Sequence, residues 1–375
     1  MKWDDYRRFD NMKISEIIHF FEEVAPDYYQ ESYDNSGLQI GDKDAEVTGI
    51  LITLDITAEI IDEAMQSGCN LILSHHPLIF TGIKSITGRN STERIIIKAL
   101  QEKINILSIH TNVDNAGGGV NHVICNKIGL EDTSILRPLE GKLFKLSVFV
   151  PEDHAENVRE HIFSAGAGVI GNYDFCSFNT SGTGTFRGNE DSIPFSGKKG
   201  KMHYEKEIKV ETILPAHLKD RVIDAMLAAH PYEEVAYDIY PLGNKFATYG
   251  AGMIGYLDEE TDEKDFLSRL RKVFKPGCIR HSRFTGKKVK KVAVCGGSGS
   301  SLLGDAIAAG ADVFVSSDFK YHQFFDADDK ILIADIGHYE SEQFTKELFY
   351  ELLIKKFPNF ALHLSKVNTN PIHYI

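Results

Sequence analysis

Three short stretches of the chain concentrate side chains that ligate metals. His75 and His76 stand side by side in SHHP, with Pro77 ending the apolar run before them. His110 and Asp114 lie in HTNVDNAGGG, and His338 and Glu342 in GHYESE. The i, i+4 spacing of the last pair puts both on one face of a helical turn, and turns Glu340 elsewhere. Each stretch alone has a bland reading: a polar strand end, a helix N-cap at Asp114 or Asn115, a surface His–Glu pair. Taken together they supply imidazole and carboxylate, the ligand set of Zn, Mn, Fe or Co, with little to attract calcium. Five or six such ligands exceed the needs of one tetrahedral ion. They suit two ions about 3.5–4 Å apart under a bridging carboxylate, which would generate hydroxide at neutral pH and polarise a substrate oxygen. Asp114 is the expected bridge.

Further candidates surround this set. Asp318 and His322, in SDFKYH, repeat the i, i+4 spacing and read either as a proton shuttle beside the metals or as a structural pair. GGSGSS at 296–301 reads either as a phosphate-binding turn or as a plain tight turn, because it is neither a Walker A sequence nor GxGxxG followed by an acid. No nucleophile signature such as GxSxG is present. Cys295, at a strand end before glycines, reads as core.

The elements that must position these residues alternate. Val47–Asp55 reads as a strand, Ala58–Gln66 as a helix and Asn70–His76 as a strand. Thr92–Lys103 is a helix, Ile104–His110 a strand and Val120–Lys127 a helix. Near the C-terminus Val289–Cys295, Ala311–Ser317, Ile331–Asp335 and Phe360–Val367 read as strands, with helices at Leu302–Ala309 and Glu342–Lys356. Repeated strand–helix–strand units predict mostly parallel sheets. EAMQSGCNLILSHH and DAIAAGADVFVSSD share one form, helix, glycine, strand, polar tip, so the α/β fold is expected as two related lobes, 1–140 and 245–375. Their strand tips would flank a site. Between them, 141–244 reads β-α-β-β-α-β, an inserted ferredoxin-like domain.

Composition sets outer bounds. The chain has 375 residues, 42% hydrophobic and 25% charged, which is globular and excludes a disordered chain. Its formal charge of −13 disfavours non-specific nucleic-acid binding; the basic run 271–291 reads as a solvated linker face. No apolar run approaches the ~20 residues of a membrane span, and MKWDDYRRFDNMK lacks a signal peptide's apolar core, so a cytoplasmic protein is expected. Five cysteines without CxxC spacing argue against a disulfide framework or a zinc–cysteine site.

The motifs DNSGLQIGD (34–42), SHHP (74–77), HTNVD (110–114), CGGSG (295–299), SDFKYH (317–322) and GHYESE (337–342) resemble one family: the dinuclear-metal GTP cyclohydrolase I type 2 homologues, or Nif-three-like proteins. The resemblance runs from about Met12 to the C-terminus. It implies metal ligands at His75, His76, Asp114, His338 and Glu342, with His110 close by; His110 and His322 are the expected catalytic, proton-moving residues. It implies two divalent ions per chain, zinc first and Mn, Fe or Co on the same ligands, in a homohexameric toroid. The implied reaction is attack by metal-bound hydroxide on C8 of the guanine of GTP, a small-molecule nucleotide substrate, releasing formate. Alternatives are a dinuclear-metal phosphoesterase, or a scaffold or regulator whose inserted domain senses a ligand. That insert, with HPYEEVAYDIYPL (230–242), resembles PII-like or CutA-like modules. Tyr33 stands where many members carry tryptophan.

Overall fold

A computed structural model describes residues 12–375. The described chain divides into two compact units: Leu139–Phe246, and residues 12–138 together with Ala247–Ile375.

The larger unit opens with α1 (Ile14–Val24), whose Ile14, Ile17, Phe20 and Phe21 turn one buried face to the core. Then come β1 (Gly37–Ile40), β2 (Ile50–Thr53), α2 (Ala58–Gln66), β3 (Leu71–Ser74), α3 (Ser91–Gln101), β4 (Asn105–Ser108), the short α4 (Thr111–Asp114), α5 (Val120–Ile128) and β5 (Leu130–Leu139). Caps fix the helix starts: the Thr57 hydroxyl accepts from the Ile60 amide, and the Asn90 side chain accepts from that of Glu93 at 2.8 Å. After the smaller unit the chain continues through β10 (Phe246–Asp262), α8 (Glu263–Phe274), β11 (Arg280–His281), β12 (Lys288–Ser298), α9 (Leu303–Ala308), β13 (Val313–Ser317), β14 (Leu332–Asp335), α10 (His338–Glu342), α11 (Thr345–Lys356) and β15 (Leu362–Leu364).

These strands form two sheets. One has the order β1-β4-β3-β2-β15, parallel except for β1; the other is β11-β14-β13-β12-β10-β5, with β12, β13 and β14 parallel. The central strands ILIT, LILS, NILS and LIAD are buried at every residue, as strands covered on both faces must be. The lobes are related as the sequence predicts, but they exchange strands. The last strand, β15, completes the first sheet beside β2, and β5 lies at the edge of the second beside β10. Breaks near 140 and 245 therefore do not separate the sheets.

Among the elements that escaped the sequence reading, β1 lies in 33–42, β5 and the 17-residue β10 have burial with no clean period, and α8 does bury Phe266, Leu270 and Phe274 at helical spacing. The basic run 271–291 is more than a linker face: it ends α8, holds β11 and begins β12 at Lys288, with Val289 fully buried. The long helix expected from Glu342 is two, α10 and α11.

The smaller unit runs β6 (Leu143–Pro151), α6 (Ala155–Ser164), β7 (Ser177–Phe186), β8 (His203–Pro215), α7 (Lys219–Ala229) and β9 (Tyr237–Pro241), the β-α-β-β-α-β order. Its antiparallel sheet has the order β7-β8-β6-β9. Val158, Ile162, Val222 and Met226 of its helices share one core with Leu146, Val148, Val210 and Leu214 of its sheet.

Candidate metal centre

The site is built where strands of the larger unit end. The backbone amides of His75 and His76 both reach back to the Leu54 carbonyl, at 3.2 and 2.9 Å. This turns the chain just past β3, so the two imidazoles meet at 4.9 Å between ring centres instead of pointing to opposite faces. Past β4, His110 precedes α4, which carries Asp114 at its end. Past β14, Gly337 takes φ +91° and starts α10, which bears His338 and Glu342. That φ favours glycine, and a Cβ at Gly337 would also stand 2.2 Å from the Glu340 carboxylate.

Five imidazoles and carboxylates then converge. The Nε2 of His75 lies 3.6 Å from Asp114 Oδ1 and 3.7 Å from Glu342 Oε1. Glu342 Oε2 lies 3.0 Å from His76 Nε2 and 3.1 Å from His338 Nε2. Among the described residues three groups have ligand atoms close enough to share an ion: His75, Asp114 and Glu342; His76, His338 and Glu342; His75, His76 and His110. Tetrahedral bonds of about 2.0–2.2 Å place ligand atoms about 3.3–3.6 Å apart, close to the spacing seen. Glu342, and not Asp114, is the carboxylate common to two groups. The reason is position: Glu342 has one oxygen toward His75 and the other between His76 and His338, whereas Asp114 faces His75.

Hydrogen bonds set each ring's tautomer. His75 Nδ1 lies 2.9 Å from the Ile109 carbonyl, which can only accept, so Nδ1 carries the proton and Nε2 keeps its lone pair. His76 Nδ1 meets Asp55 Oδ1, His338 Nδ1 meets Asp318 Oδ2, and His110 Nδ1 meets Asp34 Oδ1, each at 2.7 Å. Such partners orient ligating histidines. His75 Nε2 and Asp114 Oδ1 are buried with no hydrogen-bond partner. Buried polar atoms are rarely left so, and these two fit a shared cation.

The electrostatics agree. Burial lowers the His75 pKa to about 4, against the attraction of the nearby Glu342 carboxylate. Burial opposes charge on His76 and His338 too, but the carboxylates beside them prevail: Asp55 and Glu342 raise His76 to about 9, and Glu342 and Asp318 raise His338 to about 11. Burial and the Glu342 charge push Asp114 well above the carboxylate range. Glu342, though buried, is held well below it by the three imidazoles. Asp34 is also held low despite its burial, by bonds from His110 and Thr111. Buried Glu342 and half-buried Asp114, both beside His75, are carboxylates whose crowding a divalent cation would relieve.

His76, His110, Asp114, His338 and Glu342 line a cavity of about 750 Å³, together with Phe80, Tyr33, Arg137 and the glycine-rich turn. In that turn Gly297 has φ +60°, and a Cβ there would come within 2.3 Å of Glu342 Oε1. The amides of Gly296, Gly297 and Gly299 donate to Asn121 Oδ1, Ser341 Oγ and Ser316 Oγ at 2.9, 2.9 and 3.0 Å. The turn is a close-packed support for Glu342, and these three donors are not open to a phosphate.

Residues 12–371 match one family model, Duf34/NIF3 (NGG1p interacting factor 3). The chain belongs to this family. It is 40% identical over 372 residues to a Halalkalibacterium halodurans protein named GTP cyclohydrolase 1 type 2 homolog, covering 97% of this chain and 100% of that one. It is 37% identical over 366 residues to a Bacillus subtilis protein of the same name, covering 96% and 98%. Among solved structures, a Bacillus cereus protein related to NIF3 aligns with TM-score 0.84 at 40% identity, over 97% of this chain and 99% of that one.

Within this family member, His75, His76, His110, Asp114, His338 and Glu342 come together and His322 does not. Asp318 takes φ +58°, which breaks the helical turn assumed for 318–322. His322 is exposed, its ring against Tyr321 and Phe325. Glu340 is buried and turned aside, bonded by Asn370 at 3.1 Å. Sequence reasoning missed Asp55 and the part played by Asp34. Asp55 ends the TLD run just after β2, another strand tip, and that position was the available clue. No helix among the described residues is long and apolar enough to cross a membrane.

Proposed function

We propose that this chain is a divalent-metal-dependent hydrolase, binding two metal ions and opening the imidazole ring of guanine nucleotides such as GTP, with release of formate. The observation that carries the reading is the pair of ligand groups sharing Glu342, with His75 Nε2 and Asp114 Oδ1 buried and unpartnered, beside a cavity large enough for a nucleotide. The relatives' shared name points to the same chemistry. His75, Asp114 and Glu342 would hold one ion, and His76, His338 and Glu342 the other. When bound, such ions bring the pKa of water near neutrality and polarise a substrate oxygen. Zinc suits the set best, and Mn, Fe or Co would use the same ligands. The assembly we propose is a homohexamer.

The chain's own residues do the positioning. Asp55, Asp318 and the Ile109 carbonyl hold three rings with Nε2 turned inward. His110 is held by Asp34 at Nδ1, so its Nε2 is the atom left to exchange a proton with water or the ring. Water adds at C8 and the C8–N9 bond breaks, leaving a formamide. A second water cleaves the formamide to formate and an amine.

The test incubates metal-loaded protein with GTP and measures formate and the nucleotide product by mass, with His76→Ala in parallel. Formate from the unmodified chain and none from the variant is expected. No formate from protein holding two ions per chain would overturn the reading.

A further inference from the structure

Resting on that reading, we infer that the site recognises its substrate through the flat ring, stacked on Phe80, and not through the phosphates. Phe80 is half exposed on the cavity wall, and its ring stands edge-on to His110 at 5.7 Å between centres. A planar heterocycle lying on Phe80 is therefore beside the proton-exchanging imidazole. Tyr33, 71% exposed, supplies a second aromatic surface to the same cavity. Both are large rings left open to solvent inside a concavity, where stacking with a base is favourable and tolerant of ring type.

The rest of the wall offers a phosphate chain little. Arg137 is the only Lys or Arg among the described residues lining the cavity. Its guanidinium is already engaged by Asp305 and by the Ser301 carbonyl, both at 2.8 Å. The amides of Gly296, Gly297 and Gly299 are taken by side chains of the fold. A phosphate chain thus finds Arg137 and these three amides already committed, whereas a base or nucleoside keeps the ring contact on Phe80.

The test measures binding of guanosine and GTP to the full chain by calorimetry, metal-free and metal-loaded, with formate followed in parallel. On metal-free protein, guanosine should bind at least as tightly as GTP. Phe80→Ala should weaken guanosine by about 5- to 100-fold, the range of base–aromatic stacking, while Phe80→Trp, which keeps a flat ring, stays within about threefold. GTP binding more than about tenfold tighter than guanosine, or a Phe80→Ala chain that folds and binds guanosine unchanged, would overturn the inference. Formate from GTP with guanosine inert would also overturn it and leave ring opening standing. Phe80-dependent guanosine binding with no formate from either compound would do the reverse.

Discussion

His75 in the larger unit and His230 in the smaller one begin from the same arrangement and end differently. Each is a buried histidine with one ring nitrogen donating to a backbone carbonyl, His75 Nδ1 to Ile109 and His230 Nε2 to Phe149 at 3.0 Å. Burial lowers the pKa of both. The second nitrogen of His230 accepts from the Tyr232 amide at 3.1 Å, and the Tyr232 hydroxyl continues to Glu207 at 2.8 Å. The second nitrogen of His75 meets no donor, and the carboxylate oxygen nearest it, Asp114 Oδ1, is equally unpartnered. A buried histidine is thus uninformative by itself. One whose second nitrogen faces an unpaired buried carboxylate is placed for a cation, because satisfying both atoms otherwise would need a donor the fold does not supply.

The most severe way to test this contrast is Glu342→Gln. An amide keeps the shape but cannot offer two anionic oxygens to two groups. Metal content after dialysis should fall at both positions, and metal affinity should drop by more than the roughly 10–100-fold typical of residues one step removed from the ion. Two ions per chain retained by this variant would end the case for Glu342 as the shared ligand.

A finer test moves one bond outward. Asp55→Asn replaces an acceptor at His76 Nδ1 with a group that can donate, which releases the ring to the other tautomer. Metal affinity should fall about 10–100-fold while the fold persists. The matching change in the smaller unit, His230→Gln, should leave metal content untouched and lower unfolding stability by about 1–3 kcal/mol, the cost of stranding a buried polar partner. Equal loss of metal from both variants would show that the contrast between the two histidines is only one of general stability.

The parts of the site legible in sequence were those written as local pattern. Apolar runs ending in SHHP and HTNVD mark strand tips, and GHYESE carries a helical spacing that the structure reproduces in α10. What could not be read was set by contacts distant in sequence. The shared role of Glu342 depends on His75 and His76, 266 residues from it in the case of the His76 bond. Asp114 looked equally suited to bridge because its burial and its single facing imidazole are tertiary facts. His322 misled because one backbone dihedral, at Asp318, undoes an i, i+4 spacing that the letters alone support. In the fold, the parallel strands announced themselves through continuous apolar runs. β10 did not, because a long strand with mixed burial has no clean period. The exchange of β5 and β15 between sheets is likewise a pairing fact, invisible to any local pattern.

The smallest predicted effect lies in the smaller unit and separates it from the metal centre by pH. Burial lowers the His217 pKa to about 4, from 6.5 for an unperturbed side chain. Between those values the unfolded chain binds more protons at this residue than the folded one. Stability therefore rises with pH across that window, is complete above about 6.5 and is lost progressively as pH falls toward 4. Urea midpoints at pH 5 and pH 8 should differ in the unmodified chain, and His217→Gln should narrow the gap by removing this residue's share. The metal ligands titrate in both proteins alike, so they cancel in the comparison. A gap unchanged by His217→Gln would mean that His217 is hydrated in solution and that its burial contributes nothing to the acid sensitivity of the smaller unit.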